Sequence, residues 1–207
     1  MDYMTLKAIT SVSATIGANG FTTFASAYPL DLANLPGGLT AYTATLSGAT
    51  IKFAECTQAV AAGTGLLLEG TAGETYDIPV VAEGATVSDN ALTGVTAVTP
   101  LKSDTENYIF AMRKATSAND PLSFAPLTSE SEVNFPAGKA YIEVPASAFN
   151  GNVEARALVL TFDDATSIRS VDSRQLTVDS YYNLNGQRVS QPSKGLYIVN
   201  GKKVVIK

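Results

Sequence analysis

The chain has 207 residues, of which 45% are apolar and 16% are charged, and it contains one cysteine and no histidine. This length suits one large domain, or one domain with a small appendage, and the composition excludes wholesale disorder. Without histidine the chain lacks the commonest general base, and with it the Ser-His-Asp and Cys-His catalytic arrangements and most zinc and iron sites. No apolar run approaches the length of a membrane-spanning helix, so a membrane-spanning protein is not expected.

The net charge of −5 is unevenly distributed along the sequence. Residues 181–207 contain five basic side chains and no acid, whereas residues 1–180 contain the other nine basic side chains and all 19 acids. An acidic body of net charge −10 argues against nucleic acid as a partner. The opening "MDYMTLKAIT" shows no signal-peptide pattern, but abundant Ala, Thr, Ser and Gly with sparse Lys and Glu favour a secreted or cell-surface location.

Strand signals recur through the body, while helix signals are scarce. Ten short segments rich in Val, Ile, Thr, Tyr or Phe are bounded by Gly, Pro, Asn or Ser, which predicts β-strands. They are Lys7–Thr15, Gly20–Phe24, Thr40–Leu46, Thr50–Ala54, Gly65–Leu68, Tyr76–Val81, Asn107–Met112, Leu122–Pro126, Lys139–Val144 and Arg156–Phe162. A tight turn is expected in "LSGAT" (46–50), and single helical turns within Ala25–Leu35 and after the Lys139–Val144 strand. Strands at this spacing predict an all-β fold, with an antiparallel β-sandwich or barrel-like body.

Eight apolar side chains on these strands are the predicted core. They are Tyr42, Phe53, Leu67, Ile109, Tyr141, Ile142, Leu158 and Leu160. Adjacent residues on a strand point to opposite faces, so Tyr141 and Ile142 are not both expected to be fully buried. The lone Cys56 has apolar neighbours and no histidine to activate it, so we interpret it as a small buried core residue.

The sequence predicts a body over residues 1–164, a junction over 165–180 and a tail of two β-hairpins over 181–207. In the junction apolar residues thin out and Ser, Arg and Asp become frequent. Asn185–Gly186 and Asn200–Gly201 suit two-residue type I′ turns, whose central positions need positive φ. A two-residue turn in the first hairpin pairs Leu184 with Gln187 and Tyr182 with Val189. The second turn pairs Ile198 with Lys203, Tyr197 with Val204 and Leu196 with Val205.

Two parts of the chain resemble known bacterial sequences. The tail, through "YNLNGQRV" (182–189), Pro192 and "KGLYIVNGKKVVIK" (194–207), resembles the end of Por (type IX) secretion sorting domains, of which only the last strands are recognisable here. The body, through "GFTTFASAYPLDLANLPGGLTAYTATLSG" (20–48), "VAAGTGLLLEG" (60–70) and "FPAGKAYIEVPASA" (135–148), resembles an uncharacterised family of secreted β-modules from gut anaerobic bacteria. The resemblance implies a secreted module with a sorting-like tail. It supplies no catalytic residue.

Motifs for chemistry are absent from the sequence. There is no Gly-x-Ser-x-Gly elbow, Ser-x-x-Lys pair or phosphate-binding Gly-Lys-Ser/Thr loop. "GTG" at Gly63–Gly65 is interpreted as a turn. A glycosidase carboxylate pair would have to come from Glu130, Glu132, Glu154, Asp163 or Asp164, all in polar, turn-like surroundings. Calcium could bind at "FDDATS" (162–167) or "VSDN" (87–90), but both lack the ligand spacing of a recognised site.

Sugar binding is the sharper non-catalytic alternative, because exposed flat aromatic rings stack on sugars. The chain has no tryptophan but nine tyrosines. The possible ligand-contact aromatics are Tyr108, Phe110, Tyr181 and Tyr182, with core packing as the competing interpretation. We therefore predict a non-catalytic interaction or adhesive module, without cofactor or metal, whose partner is a surface glycan or a protein. A carbohydrate-binding module is the first alternative and a glycoside hydrolase-type enzyme the second.

Overall fold

A computed structural model describes residues 8–127, 132–149 and 158–163, together with the backbone of four strands between 181 and 206. The chain divides into two units, Met1–Ala165 and Thr166–Lys207. The prediction of an all-β fold is confirmed, because the described part consists of strands, turns and two short 3-10 helices. These helices, Leu32–Asn34 and Ala146–Phe149, occupy the two places where helical turns were predicted. No helix in the described residues is long and apolar enough to cross a membrane.

The described part of the first unit contains fifteen strands. In chain order they are β1 (Ser11–Thr15), β2 (Phe21–Phe24), β3 (Leu30–Asp31), β4 (Thr40–Ser47), β5 (Thr50–Glu55), β6 (Ala59–Val60), β7 (Leu66–Glu69), β8 (Thr75–Pro79), β9 (Leu92–Val95), β10 (Thr99–Leu101), β11 (Asn107–Met112), β12 (Phe124–Pro126), β13 (Val133–Phe135), β14 (Lys139–Pro145) and β15 (Val159–Phe162). Each of the ten predicted segments overlaps one of these strands. Gly48, at φ +57°, forms the predicted tight turn between β4 and β5, a backbone conformation that glycine adopts readily.

Five strands were not predicted: β3, β6, β9, β10 and β13. Each has only two to four residues, too few for an alternating pattern to be recognised. Gly94 in β9 and Pro100 in β10 also weaken the strand signal, because both residue types are depleted in strands.

A central five-stranded sheet, in the order β15-β5-β4-β7-β2, organises the unit. Its strands pair antiparallel except β15, which runs parallel to β5. On β7, Leu66, Leu67 and Leu68 are all fully buried. Leu66 and Leu68 pack in one hydrophobic cluster and Leu67 in another, so the sheet buries apolar side chains on both faces.

The two faces of the central sheet meet different sheets. The face with Leu66 and Leu68 packs against residues of the two-stranded sheet β1-β8, including Ala14 and Ile78, and Cys56 lies in the same cluster. Cys56 is 7% exposed, as predicted for a core residue. The face with Leu67 packs against the four-stranded sheet β12-β11-β14-β9, and this contact forms the sandwich. We call its hydrophobic contents the sandwich core.

A third cluster lies on the other face of the four-stranded sheet, against β10-β13. Tyr141 is half-buried there, with its ring 5.7 Å from that of Phe135, while the neighbouring Ile142 is fully buried in the sandwich core. Five of the eight predicted core residues are buried: Tyr42, Phe53, Leu67, Ile109 and Ile142. Leu158 and Leu160 are half-buried at the margin of the sandwich core.

The second unit contains a four-stranded sheet in the order β17-β16-β18-β19. Its strands are β16 (Tyr181–Tyr182), β17 (Arg188–Val189), β18 (Gly195–Val199) and β19 (Lys202–Ile206). The predicted register of the second hairpin is confirmed in all three pairs. The hairpins are joined through β16 and β18, so the strands of the tail pair with one another.

The predicted register of the first hairpin is wrong by one residue. Tyr182 pairs with Arg188, and Tyr181 with Val189, whereas we predicted that Tyr182 pairs with Val189. Five residues separate the paired Tyr182 and Arg188, and a two-residue turn requires an even number between paired positions. The strong Asn-Gly signal therefore identified the hairpin without fixing its loop length. The turn residues Asn185, Gly186, Asn200 and Gly201 lie outside the described residues.

Candidate interaction surface

Two of the predicted ligand-contact aromatics belong to the sandwich core. Phe110 is fully buried, and Tyr108 is 9% exposed. Their ring centroids lie 5.8 and 5.9 Å from that of Phe149. A ring enclosed by other side chains has no free face for a sugar, so the prediction of these two as ligand contacts is corrected to core packing. Tyr181 and Tyr182 have described backbones in β16, and their side chains lie outside the described part.

The described candidate acids are placed as surface groups. Asp163 forms an ion pair with Lys52, with Oδ2 and Nζ 2.8 Å apart, and both side chains are about half exposed. Such exposed pairs contribute little to stability. Glu132 is exposed, and Glu130, Glu154 and Asp164 lie outside the described residues. No cluster of three or more His, Cys, Asp or Glu side chains suited to a metal occurs within the described ranges.

Two loop motifs with possible binding roles have structural explanations. In "GTG", Gly63 has φ +79° and the Thr64 hydroxyl donates to the Ala61 carbonyl at 2.7 Å, which confirms the interpretation as a turn. In "VSDN", the Asn90 side chain accepts from the backbone N–H of Ala44 and Leu92 and donates to the Gly65 carbonyl. The side-chain amide of Asn90 therefore hydrogen-bonds to the backbone of β4, of β9 and of the residue that precedes β7.

One lysine is partly removed from water. Lys139 begins β14, is half-buried, and donates from Nζ to the hydroxyl of the buried Thr22 at 2.8 Å. Burial lowers the pKa of Lys139, because the charged form loses solvation. Since Thr22 belongs to β2, this hydrogen bond ties the four-stranded sheet to the edge of the central sheet.

A groove of about 470 Å³ lies at the margin of the sandwich, where apolar side chains line it together with Arg113, Ser123 and polar main-chain groups. Leu122, Phe124 and Pro126 line it on the β12 side, and Leu158 and Leu160 line it on the β15 side. Among the described strands, β12 and β15 each lie at the edge of their sheet. We call this feature, with the exposed Arg113 that also lines it, the edge groove. Its size falls in the range of about 300–1,000 Å³ common for ligand clefts.

The exposed apolar surface extends beyond the edge groove along β15. Phe162 remains 38% exposed, although its ring lies 5.1 Å from that of Phe53 and 5.3 Å from that of Tyr42. Val159 is 56% exposed but lies on the opposite face of β15 and does not line the groove, so it is not part of this surface. An exposed apolar side chain next to such a groove is a typical feature of interaction sites.

Sequence reasoning found the strands of the edge groove but not the groove itself. Leu158 and Leu160 alternate as core residues do, and nothing in their pattern indicates that β15 is the last described strand of its sheet. Pro126 was a usable signal, because proline within a strand favours an edge position. Comparison of the chain with protein-family models, curated proteins and solved structures finds no match.

Proposed function

We propose that this chain is a non-catalytic interaction module, secreted or displayed on the cell surface, that binds its partner through the edge groove. The observation that carries the proposal is the groove between β12 and β15, with Arg113 as its charged group. The buried positions of Tyr108 and Phe110 and the solvated positions of Asp163 and Glu132 leave this groove as the described surface best suited to binding. Its combination of leucine and phenylalanine side chains with an arginine favours a protein over a glycan as the partner.

A pair of substitutions on one strand tests the groove. We expect the full chain, fluorescently labelled, to bind intact cells or secreted material from its native habitat, and Leu160→Asp to reduce that binding by about tenfold or more, because a charge among the apolar side chains of the groove is costly to desolvate. The matched variant Val159→Asp, on the opposite face, should bind as the unmodified chain does. Pretreating the target with protease should abolish binding, and oxidising its glycans with periodate should leave binding intact.

Carbohydrate binding is the second candidate because Phe162 is partly exposed beside the half-buried Phe21, with ring centroids 6.1 Å apart. Partly open aromatic rings of this kind can pack on the apolar face of a sugar. Binding that survives protease but not periodate, and signals on a printed glycan array that Phe162→Ala removes, would establish this alternative. Equal loss of binding in Val159→Asp and Leu160→Asp would contradict a role for the groove.

We also propose that the tail acts as a terminal address or anchor for the body. Three features support this: the Asn-Gly sequences, the charge opposite to that of the body, and the resemblance to sorting tails. The pairing of β16 to β19 in a sheet of their own is compatible with it.

Deleting residues 181–207 tests the address proposal. We expect the truncated chain to keep the melting temperature of the body, while it fails to reach the cell surface of its native host. Replacing Gly201 by valine should reproduce the export defect, because a β-branched residue resists the positive φ of the turn expected at Asn200–Gly201. Unfolding of the truncated body, or unchanged export, would show that the tail is not an address.

A further inference from the structure

Main-chain groups on the outer edge of β15 point away from the central sheet. The N–H of Val159 donates to the carbonyl of Ala49, the residue before β5, at 3.0 Å. The N–H of Asp163 donates to the carbonyl of Phe53, within β5, at 2.6 Å. In a parallel pair, alternate residues direct both their N–H and their C=O groups to the same neighbour. The N–H and C=O groups of Leu160 and Phe162 therefore face outward, and no strand pairs with them in the part of the chain that the structure describes.

The side chain of Leu160 packs at the sandwich core and lines the edge groove, and Phe162, on the same face of β15, packs against Phe53. A strand added beside β15 would direct every second side chain to this same face, because side chains alternate along a strand. Those side chains would enter the space between β15 and β12, where Leu122 and Phe124 line the opposite wall. Outward-facing main-chain N–H and C=O groups thus lie beside a groove lined by apolar side chains, which is the arrangement used for strand addition.

The charge of the edge groove constrains the ligand further. Arg113 lines the groove, is exposed, and has no ion-pair partner within the described ranges. A guanidinium in this position favours a carboxylate on the ligand. Lys114, the next residue, is also exposed but does not line the groove, so it provides a matched control.

We propose that the edge groove binds an extended peptide segment of a partner protein by β-strand addition to β15. The segment carries apolar side chains at alternate positions and a carboxylate beside Arg113. This inference rests on the proposed function and specifies the ligand of the same site. Main-chain hydrogen bonds from Leu160 and Phe162 would supply affinity, and the groove and Arg113 would supply specificity.

An array of synthetic seven-residue peptides tests the proposal with the full chain as the probe. Each peptide alternates threonine with one apolar residue (valine, isoleucine, leucine or phenylalanine) and begins with glutamate or with lysine. We expect a subset of glutamate-led peptides to bind. N-methylation of alternate amides removes the hydrogen bonds of one peptide edge, so methylation in one register should weaken binding by about tenfold or more, while methylation in the other register is tolerated.

Charge-reversal variants give a second readout that does not depend on core packing. Arg113→Glu should reverse the preference from glutamate-led to lysine-led peptides, and Lys114→Glu should leave the preference unchanged. Equal sensitivity to both methylation registers, or an unchanged preference in Arg113→Glu, would overturn strand addition. So would sedimentation showing that the groove joins two copies of this chain.

The two proposals can fail separately. If the chain binds its target in a Leu160-dependent manner but no peptide of the array binds, strand addition is wrong and the interaction role stands. If neither the target nor any peptide binds, both proposals fail.

Discussion

Replacing Phe53 by alanine is expected to lower the free energy of unfolding by about 3–5 kcal/mol, the cost usual for removing a buried phenylalanine. Phe53 is fully buried in the sandwich core. Its ring centroid lies 6.3 Å from that of Phe124 and 5.1 Å from that of Phe162, so it joins the four-stranded sheet to β15. The substitution removes these contacts and leaves a cavity that the two sheets cannot fully close.

Urea denaturation of the full chain, followed by far-UV circular dichroism because the chain has no tryptophan, measures this loss. Phe162→Ala is the matched control on the same aromatic cluster. Because Phe162 is already 38% exposed, its replacement should cost about 1–2 kcal/mol. An equal or larger effect of Phe162→Ala would show that the sandwich core is not centred on Phe53.

Local patterns in the sequence predicted the longer strands well. β4, β5, β11 and β14 have six to eight residues each, with apolar side chains spaced for a strand, and all were predicted within about one residue of their bounds. Sheet order is a different matter, because it depends on contacts between distant segments. The parallel pairing of β15 with β5 joins residues about 110 positions apart, and no turn between them fixes that register.

The candidate site illustrates the same limit. A leucine in the middle of the sandwich and a leucine at its margin have the same sequence signature, so Leu67 and Leu160 were predicted alike. Only the sheet order distinguishes them, since in the part of the chain that the structure describes β7 has a strand on each side and β15 has one. For the same reason Tyr108 and Phe110 could not be assigned to a core or to a ligand surface from alternation alone.

Polar residues with structural roles were harder to recognise than apolar ones. Asn90 stands in "VSDN", a stretch whose composition suggests a loop with possible calcium ligands. In the structure its side chain holds the backbone where β4, β7 and β9 approach one another. Such a residue is recognised by the backbone groups that it hydrogen-bonds, and those groups come together only when the strands have assembled.

Asn90→Ala is expected to lower the free energy of unfolding by about 2–4 kcal/mol, because buried main-chain groups lose their partners. Asn90 Oδ1 accepts from the N–H of Ala44 at 3.0 Å and of Leu92 at 3.2 Å, and Nδ2 donates to the carbonyl of Gly65 at 2.8 Å. Alanine replaces none of these hydrogen bonds. Ser88→Ala, at an exposed position two residues earlier, is the control and should change stability by less than about 0.5 kcal/mol.

Asn90→Asp tests the contribution of the hydrogen bond that Asn90 donates, separately from the two that it accepts. Aspartate keeps an acceptor for Ala44 and Leu92, but its ionised form cannot donate to the Gly65 carbonyl and places a negative charge beside it. The repulsion from the Gly65 carbonyl raises the pKa of the new carboxyl, whereas the N–H groups of Ala44 and Leu92 lower it. If the hydrogen bond to Gly65 is what holds these strands together, the repulsion dominates and the pKa in the folded state lies above the unfolded value of about 4. The folded state then binds more protons, so the deficit relative to the unmodified chain should be largest at neutral pH and shrink as the pH falls through the raised pKa toward about 4. Urea titrations at pH 7 and near pH 4 measure the difference, and a deficit independent of pH would show that the hydrogen bond to Gly65 does not hold these strands together.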